Sequence, residues 1–388
     1  MRTRTGLMLS WALASTALGA CAGGAQSGGK PVDPNGNTMQ PAVVTRVDYE
    51  EALRSAAIKL TGNYPSLAEI KQVRDAAESM RQAEYEKLVD DYMSRPSFGA
   101  QVIDFFRDTF KMGGSDNRGG TMVNFDYAPT YAASLVVDEK PFTDIVTATR
   151  DTCQTFDGKT GKFSPANCPN QSAVGVLTDA GVQAQFFSSM AFRRVRWVQE
   201  TFICRKFPAE TSGAPQPRPG GSYTSPWDYN SITGKQNKKD ARIDFQDDKS
   251  IVCANCHTTM NHIAPLFARF GANGALNMQI VVKVPIPNEP NAAPIDWLPN
   301  GEMTAWRVGK PVADLPALGA AIASDPEFGK CIASRVWNWA MSRPDVVEDG
   351  ALLTDDMANK LLVDLKSSNW NVKKLVRKAF TSDSFVRY

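Results

Sequence analysis

Residues 253–257, which read Cys-Ala-Asn-Cys-His, constrain the fold of this chain more than any other stretch. Two thiols three residues apart on one helical turn face the same way, so both can bond to the vinyl groups of a single porphyrin. The histidine that follows presents an imidazole nitrogen to the iron. The spacing therefore predicts that Cys253 and Cys256 attach one c-type haem and that His257 is an axial ligand of its iron.

A zinc half-site, or a disulfide followed by a chance histidine, would also place two cysteines before a histidine. A structural zinc site needs four Cys or His ligands at suitable spacing. The chain contains only one other histidine, His262. Because those further ligands are missing and the amino terminus carries an export signal, covalent haem is the favoured interpretation.

The amino terminus has the pattern of a bacterial export signal. Arg2 and Arg4 precede an apolar run over residues 7–18, which is too short to span a bilayer, and small residues follow. This predicts a signal peptide over residues 1–20. The last residues before Cys21 resemble a lipobox, which implies cleavage before Cys21 and lipidation of its thiol. The alternative is an ordinary secretory signal with a chance cysteine.

The segment after the lipobox is expected to tether the protein to a membrane. Ala22 stands where many inner-membrane lipoproteins carry aspartate, which favours the outer membrane. Residues 21–46 are rich in Gly, Pro, Ser and Asn, a composition typical of a flexible tether. We expect a cell-envelope lipoprotein at the outer membrane that faces the periplasm or the cell surface.

The seven cysteines divide by role. After Cys21 and the two cysteines of the motif, four are left, and an even number in an oxidising compartment predicts two disulfides. Cys153 and Cys168 bracket a polar loop and are expected to pair with each other. That leaves Cys204 to pair with Cys331. The alternative is that all four are buried, reduced thiols.

The fold class predicted from the apolar periodicity is mainly α. Apolar residues recur at helical spacing in many segments, and no run of alternating strands is evident. Ser66 and Glu69 have the spacing of a capping box. Helices are predicted over residues 47–60, 66–93, 102–110, 131–149, 183–204, 315–322, 328–341, 354–365 and 371–380. The aromatic stripe of the third segment, Phe105, Phe106 and Phe110, is expected to pack in the core.

The predicted domain order follows composition. A helical domain over residues 47–206 precedes an irregular linker, rich in Pro, Gly and Lys, over residues 207–247. A cytochrome c-like haem domain is predicted over residues 248–345, and a C-terminal helical segment over residues 346–388. The basic cluster within residues 193–196 is interpreted as a solvated helix face or a partner of carboxylates, with docking of haem propionates as the alternative.

The second axial ligand of the iron decides what a haem does. Methionine is the usual partner of histidine in electron-transfer cytochromes, because its thioether raises the potential. Met303 lies far enough after His257 for the chain to wrap around the ring, and it is the predicted second ligand. Met278 is a weaker candidate, as is Met341, whose helix is expected to pack in the core, and an open position is the other alternative. Met260 and His262 lie too close to His257 to reach the opposite face.

Several stretches resemble one family when taken in order. They are residues 60–69, 193–204, 253–257, 328–343 and 370–385. They are similar to exported, cytochrome-like proteins of planctomycetes and myxobacteria known as the DUF1592, DUF1588 and DUF1585 groups. The resemblance implies a mostly helical protein with one haem c and a link to electron transfer. The chain departs from that group in having Asn261-His262 where the group tends to have Asp-Pro.

The predicted function is single-electron transfer by a lipid-anchored monohaem cytochrome, a carrier rather than a catalyst. Its partners would be redox proteins and, through the lipid, a membrane. With 43 basic and 41 acidic residues, the chain has no strong field to recruit nucleic acid. Two alternatives stay open: a five-coordinate haem enzyme or sensor of the peroxidase or oxidase kind, and a structural surface lipoprotein.

Overall fold

The computed structural model describes residues 46–170, 173–188, 190–205, 259–283, 293–298, 303–345 and 353–387. Residues 46–388 belong to one compact unit, and its described part is mostly helical, as the sequence predicted. The predicted lipidation site Cys21, the predicted haem motif at residues 253–257 and the predicted linker over residues 207–247 lie outside the described residues. The predicted domain boundaries stay a prediction.

Four helices begin the described chain: α1 (Tyr49–Thr61), α2 (Leu67–Arg74), α3 (Arg81–Tyr92) and α4 (Pro96–Phe110). The Asp48 side chain caps α1 by accepting hydrogen bonds from two backbone N–H groups at 3.1 Å. The predicted capping box of Ser66 and Glu69 is confirmed at the start of α2. Pro96 opens α4, where its missing N–H costs no helical hydrogen bond.

The later helices are α5 (Tyr127–Val137), α6 (Asp144–Thr147), α7 (Ala180–Gln185), α8 (Phe192–Phe202), α9 (Leu315–Ser324), α10 (Pro326–Ala340), α11 (Asp355–Ser367), α12 (Val372–Phe380) and α13 (Asp383–Val386). The helices predicted at 315–322, 328–341, 354–365 and 371–380 are confirmed within a few residues. Those predicted over 66–93, 131–149 and 183–204 are each divided in two. Left-handed backbone at Glu139 (φ 57°) and Ala191 (φ 61°) interrupts the latter two.

Three short antiparallel hairpins accompany the helices in the described ranges: β1 (Ser115–Arg118) with β2 (Thr121–Asn124), β3 (Gln154–Asp157) with β4 (Lys162–Pro165), and β5 (Ala305–Trp306) with β6 (Lys310–Pro311). The sequence did not predict them. Their strands have two to four residues, and most positions in the first two hairpins are exposed or half-buried. Such strands carry no period-two apolar pattern to detect.

An aromatic core joins three helices. Phe106 of α4 stacks on Phe142 with ring centroids 5.7 Å apart, and Phe142 stacks on Phe328 of α10 at 6.0 Å. Phe202, the last residue of α8, contacts Phe328 at 6.3 Å and Phe110 at 6.4 Å. The prediction that the aromatic stripe of α4 packs in the core is confirmed for Phe106 and Phe110, and Phe105 is partly buried against it.

Two disulfides close loops of very different length, and both are the pairings that the sequence predicted. Cys153–Cys168 joins the two ends of the β3–β4 hairpin across 15 residues of sequence. Cys204–Cys331 joins the chain just after α8 to the middle of α10 across 127 residues. The haem motif lies within the longer loop.

Candidate haem-attachment site

The described chain on both sides of the haem motif is anchored in the core. Upstream, it reaches Arg205 directly after the disulfide-bonded Cys204. Downstream, residues 259–263 are helical and lead into a 3₁₀ turn, Ala264–Phe267, that packs against α8. The described segment directly after the motif is therefore fixed to α8.

The downstream flank is buried from its first residues. Met260 is partly buried against the hydrophobic core, and Asn261 and His262 are almost completely buried. His262 is fully enclosed on the helical turn that follows the motif. Its imidazole is thus a core group of the described chain.

Arg194 of α8 holds this flank in place. Its guanidinium donates to the carbonyl oxygen of Gln183 at 2.6 and 3.1 Å, and to the carbonyl oxygens of Phe267, Phe270 and Gly271 at 2.9, 3.2 and 3.2 Å. No carboxylate of the described chain pairs with it. Burial lowers the pKa of Arg194 to about 9. One buried cation therefore ties the α7–α8 region to the segment after the motif.

The interpretation of residues 193–196 as a solvated helix face is wrong for Arg194 and fits Arg193 and Arg196. Arg193 and Arg196 are exposed, and Arg196 pairs with Glu200 at 2.8 Å. Arg194 is completely buried. Three arginines within four residues give no signal of which one turns inward. The apolar residues around the cluster, Val195 and Val198, place Arg194 on the buried face only once the helix register is known.

Asn170 makes a second connection to the same flank. Its side-chain amide donates to the carbonyl oxygens of Thr178 and Gly274 at 2.9 Å, and its side-chain oxygen accepts from the backbone N–H of Leu276 at 2.9 Å. Gly274 has a φ of 77°, and a Cβ there would lie 1.8 Å from the carbonyl oxygen of Ala180. The loop after the motif is thus pressed against the start of α7. Sequence reasoning missed Asn170, because nothing in its local pattern indicates a contact about a hundred residues away.

Asp179 is a buried acid at the start of α7, directly after Thr178, whose carbonyl oxygen accepts from Asn170. One carboxylate oxygen caps α7 by accepting from the Val182 N–H at 2.9 Å. The other accepts no hydrogen bond within the described residues. Burial raises the pKa of Asp179 to about 7, although hydrogen bonds from the backbone N–H groups of Val182 and Gly181 oppose the rise.

The raised pKa of Asp179 predicts a specific pH dependence of stability. The unfolded carboxyl titrates near 3.8 and the folded one near 7, so the native state holds an extra proton between these values and loses stability as pH rises through them. Asp179→Asn cannot ionise. We expect its free energy of unfolding, relative to wild type, to rise by up to about 4 kcal/mol between pH 4 and pH 8. Urea unfolding across a pH series measures this.

Asp151→Asn is the matched control, because Asp151 is exposed and tolerates asparagine at its positive φ. The pH dependence of Asp179→Asn is compared with that of Asp151→Asn, so that any effect common to the loss of an aspartate is subtracted. A difference between Asp179→Asn and wild type that stays constant with pH would contradict the prediction.

The candidate second ligands lie at the protein surface. The Met303 side chain is 56% exposed and that of Met278 is 76% exposed, so neither thioether is committed to the core. Met303 precedes Thr304. The Thr304 hydroxyl donates a hydrogen bond to the Val312 carbonyl oxygen at 2.5 Å, and the Val312 N–H donates one to the Thr304 carbonyl oxygen at 3.0 Å. The backbone beside Met303 is therefore fixed next to the β5–β6 hairpin.

Searches of family models, curated proteins and solved structures found no match to this chain. The resemblance to the cytochrome-like groups therefore depends on the residues quoted for it. Within the described ranges, no helix has the length and apolar character to cross a bilayer. The same ranges contain no group of three or more His, Cys, Asp or Glu side chains placed to hold a metal ion.

Proposed function

We propose that this protein is a lipid-anchored c-type cytochrome that carries single electrons in the cell envelope with one covalently attached haem. The observation that carries the proposal is the pairing of four cysteines in two disulfides, which leaves three cysteines unpaired by them. Two disulfides occupy the four cysteines outside the motif and the lipobox. The three that are left, Cys21, Cys253 and Cys256, are those with a predicted chemical role.

The donor set suits haem c. Cys253 and Cys256 would hold the ring through thioether bonds, and His257 would ligate the iron, because the only other imidazole is enclosed in the core. Met303 would be the second ligand, since its exposed thioether is not used for packing. Bound haem supplies one-electron chemistry between ferric and ferrous iron. Arg194 and Asn170 would keep the chain after His257 in a fixed conformation.

The two disulfides suit the oxidising compartment that the same proposal requires. Disulfides form and persist in oxidising compartments such as the bacterial periplasm, the side of the membrane to which a signal peptide delivers a chain. A lipid on Cys21 would keep the protein at a membrane, with the outer membrane favoured by Ala22. Its partners would be redox proteins that give and accept single electrons.

Covalent haem is tested by expressing the chain in a bacterial host that assembles c-type cytochromes. We expect haem staining to persist on a denaturing gel and the pyridine haemochrome to give one haem per chain. The variant Cys253→Ala/Cys256→Ala should lose the stain, whereas Cys153→Ala/Cys168→Ala should keep it. Wild-type protein that is exported and folded but carries no covalent haem would refute the proposal.

The second ligand is tested on the same preparation by the methionine–iron charge-transfer band of the oxidised protein. Met303→Ala should abolish the band and Met278→Ala should leave it unchanged. Loss of the band only in Met278→Ala would show that the prediction of Met303 is wrong. Rapid binding of carbon monoxide to the reduced wild-type protein would instead favour the five-coordinate enzyme or sensor.

A further inference from the structure

A cleft with two lobes lies where the ends of α4 and α10 approach α8. The α8 lobe has a volume of about 210 Å³ and is bordered by Phe186, Arg193 and Trp197. The α10 lobe has a volume of about 260 Å³ and is bordered by Phe105, Trp339 and Arg343. Both lobes share one wall, formed by Thr109, Lys111, Arg335 and Asp345. Together the lobes reach the size of a small-molecule site.

The shared wall is a rigid, charged platform. The Arg335 side chain is only 4% exposed. It donates to Asp345 Oδ1 at 2.6 Å and to the Glu200 carbonyl oxygen at 2.7 Å. The Lys111 Nζ lies 3.3 Å from Asp345 Oδ2, so one carboxylate serves two cations. These contacts hold the wall in place and leave Lys111, which is mostly exposed, facing solvent.

Each lobe also has one arginine without a carboxylate partner in the described part of the chain. Arg193 in the α8 lobe is exposed, and its guanidinium makes a single long contact of 3.5 Å to the Phe187 carbonyl. Arg343 in the α10 lobe is exposed as well. The described acids that border the cleft are Glu200, which pairs with Arg196, Asp345, which is shared by two cations, and the exposed Asp108. Among the described lining residues, five cations against three acids give a formal charge of +2.

Each lobe has an aromatic pair beside its arginine. Phe186 and Trp197 stack at 5.5 Å in the α8 lobe, and Phe105 contacts Trp339 at 5.1 Å in the α10 lobe. A ligand in either lobe therefore meets a guanidinium and an aromatic pair. A guanidinium binds carboxylate in a two-pronged geometry that fixes orientation as well as charge.

We propose that the cleft binds a small organic dicarboxylate, with one carboxylate on Arg193, the other on Arg343, and a hydrocarbon spacer packed against the aromatic pairs. The charge of +2 matches a dianion, and the aromatic pairs match a hydrocarbon spacer. A compact anion such as inorganic phosphate would occupy only one lobe. The residues that carry this proposal are all described, and none of them belongs to the predicted haem motif.

Isothermal titration of the mature protein at low ionic strength tests the proposal with linear α,ω-dicarboxylates of increasing length. Monocarboxylates of the same length and inorganic phosphate are the comparison probes. We expect one dicarboxylate per chain and an affinity that peaks at one spacer length, at least about tenfold above that of the matched monocarboxylate.

Arg193→Gln and Arg343→Gln should each weaken binding of the best dicarboxylate by roughly tenfold to a hundredfold, because each removes one charge-assisted pair. Arg193→Lys should retain part of the affinity, since lysine keeps the positive charge but lacks the two-pronged geometry of the guanidinium. Arg150→Gln is the matched control, as Arg150 is exposed and borders neither lobe. All four substitutions are at exposed positions, so melting temperatures should be unchanged without ligand.

Three results would overturn the proposal. The first is no binding of any dicarboxylate at millimolar concentrations. The second is equal affinity for phosphate or a monocarboxylate, which would mean a one-lobed anion site. The third is unchanged affinity in the two glutamine variants. A chain without covalent haem that still binds the dicarboxylate would separate this proposal from the cytochrome proposal.

Discussion

Replacing Arg194 with methionine should destabilise the fold by about 4 to 5 kcal/mol. Methionine retains much of the side-chain volume but removes every donor. The carbonyl oxygens of Gln183, Phe267, Phe270 and Gly271 would then lose their bonds to the guanidinium in a site closed to water. Each buried acceptor left unsatisfied costs on the order of 1 kcal/mol or more. Urea unfolding at equilibrium measures the change in free energy.

Arg193→Met is the matched control, because it makes the same chemical change one residue away at an exposed position. It should alter stability by no more than about 0.5 kcal/mol. Limited proteolysis gives a second readout, as Arg194→Met should expose the segment 264–283 to cleavage before global unfolding. Equal stability of the two methionine variants would show that the hydrogen bonds of Arg194 contribute nothing net.

The features that the sequence predicted correctly arise from local chemistry. The capping box of Ser66 and Glu69 needs only three residues of spacing, and the helices after residue 310 follow from apolar periodicity. The disulfide pairing followed from counting, since only four cysteines were left and two of them bracket one loop. Each of these inferences used either neighbours in sequence or a small number of combinations.

What the sequence missed depends on contacts between distant segments. Arg194 looked like its exposed neighbours, and only the packing of residues 267–271 against α8 shows why it turns inward. The raised pKa of Asp179 comes from burial, which no local pattern reports. The two-lobed cleft brings together Lys111, Arg193 and Arg343 from three separate stretches. The predicted haem motif shows the opposite case, because five residues predict its chemistry while the motif itself lies outside the described residues.

Removing the Cys204–Cys331 disulfide should cost more stability than any other single change considered. The cross-link spans 127 residues, and the loss of loop-closure entropy in the unfolded chain predicts about 5 kcal/mol for a loop of this length. The double variant Cys204→Ala/Cys331→Ala keeps small apolar side chains at two buried positions. It also releases the long loop that contains the haem motif. Its free energy of unfolding is measured in urea without reductant.

Cys153→Ala/Cys168→Ala provides the comparison, because its loop of 15 residues predicts a cost of only about 3 kcal/mol. The two double variants should therefore differ by about 2 kcal/mol, with the long loop the more sensitive. Equal or reversed costs would mean that local packing around the hairpin outweighs chain entropy. The expected order would instead show that the longer cross-link stabilises the fold chiefly by restricting the unfolded chain between α8 and α10, the stretch in which the haem would be attached.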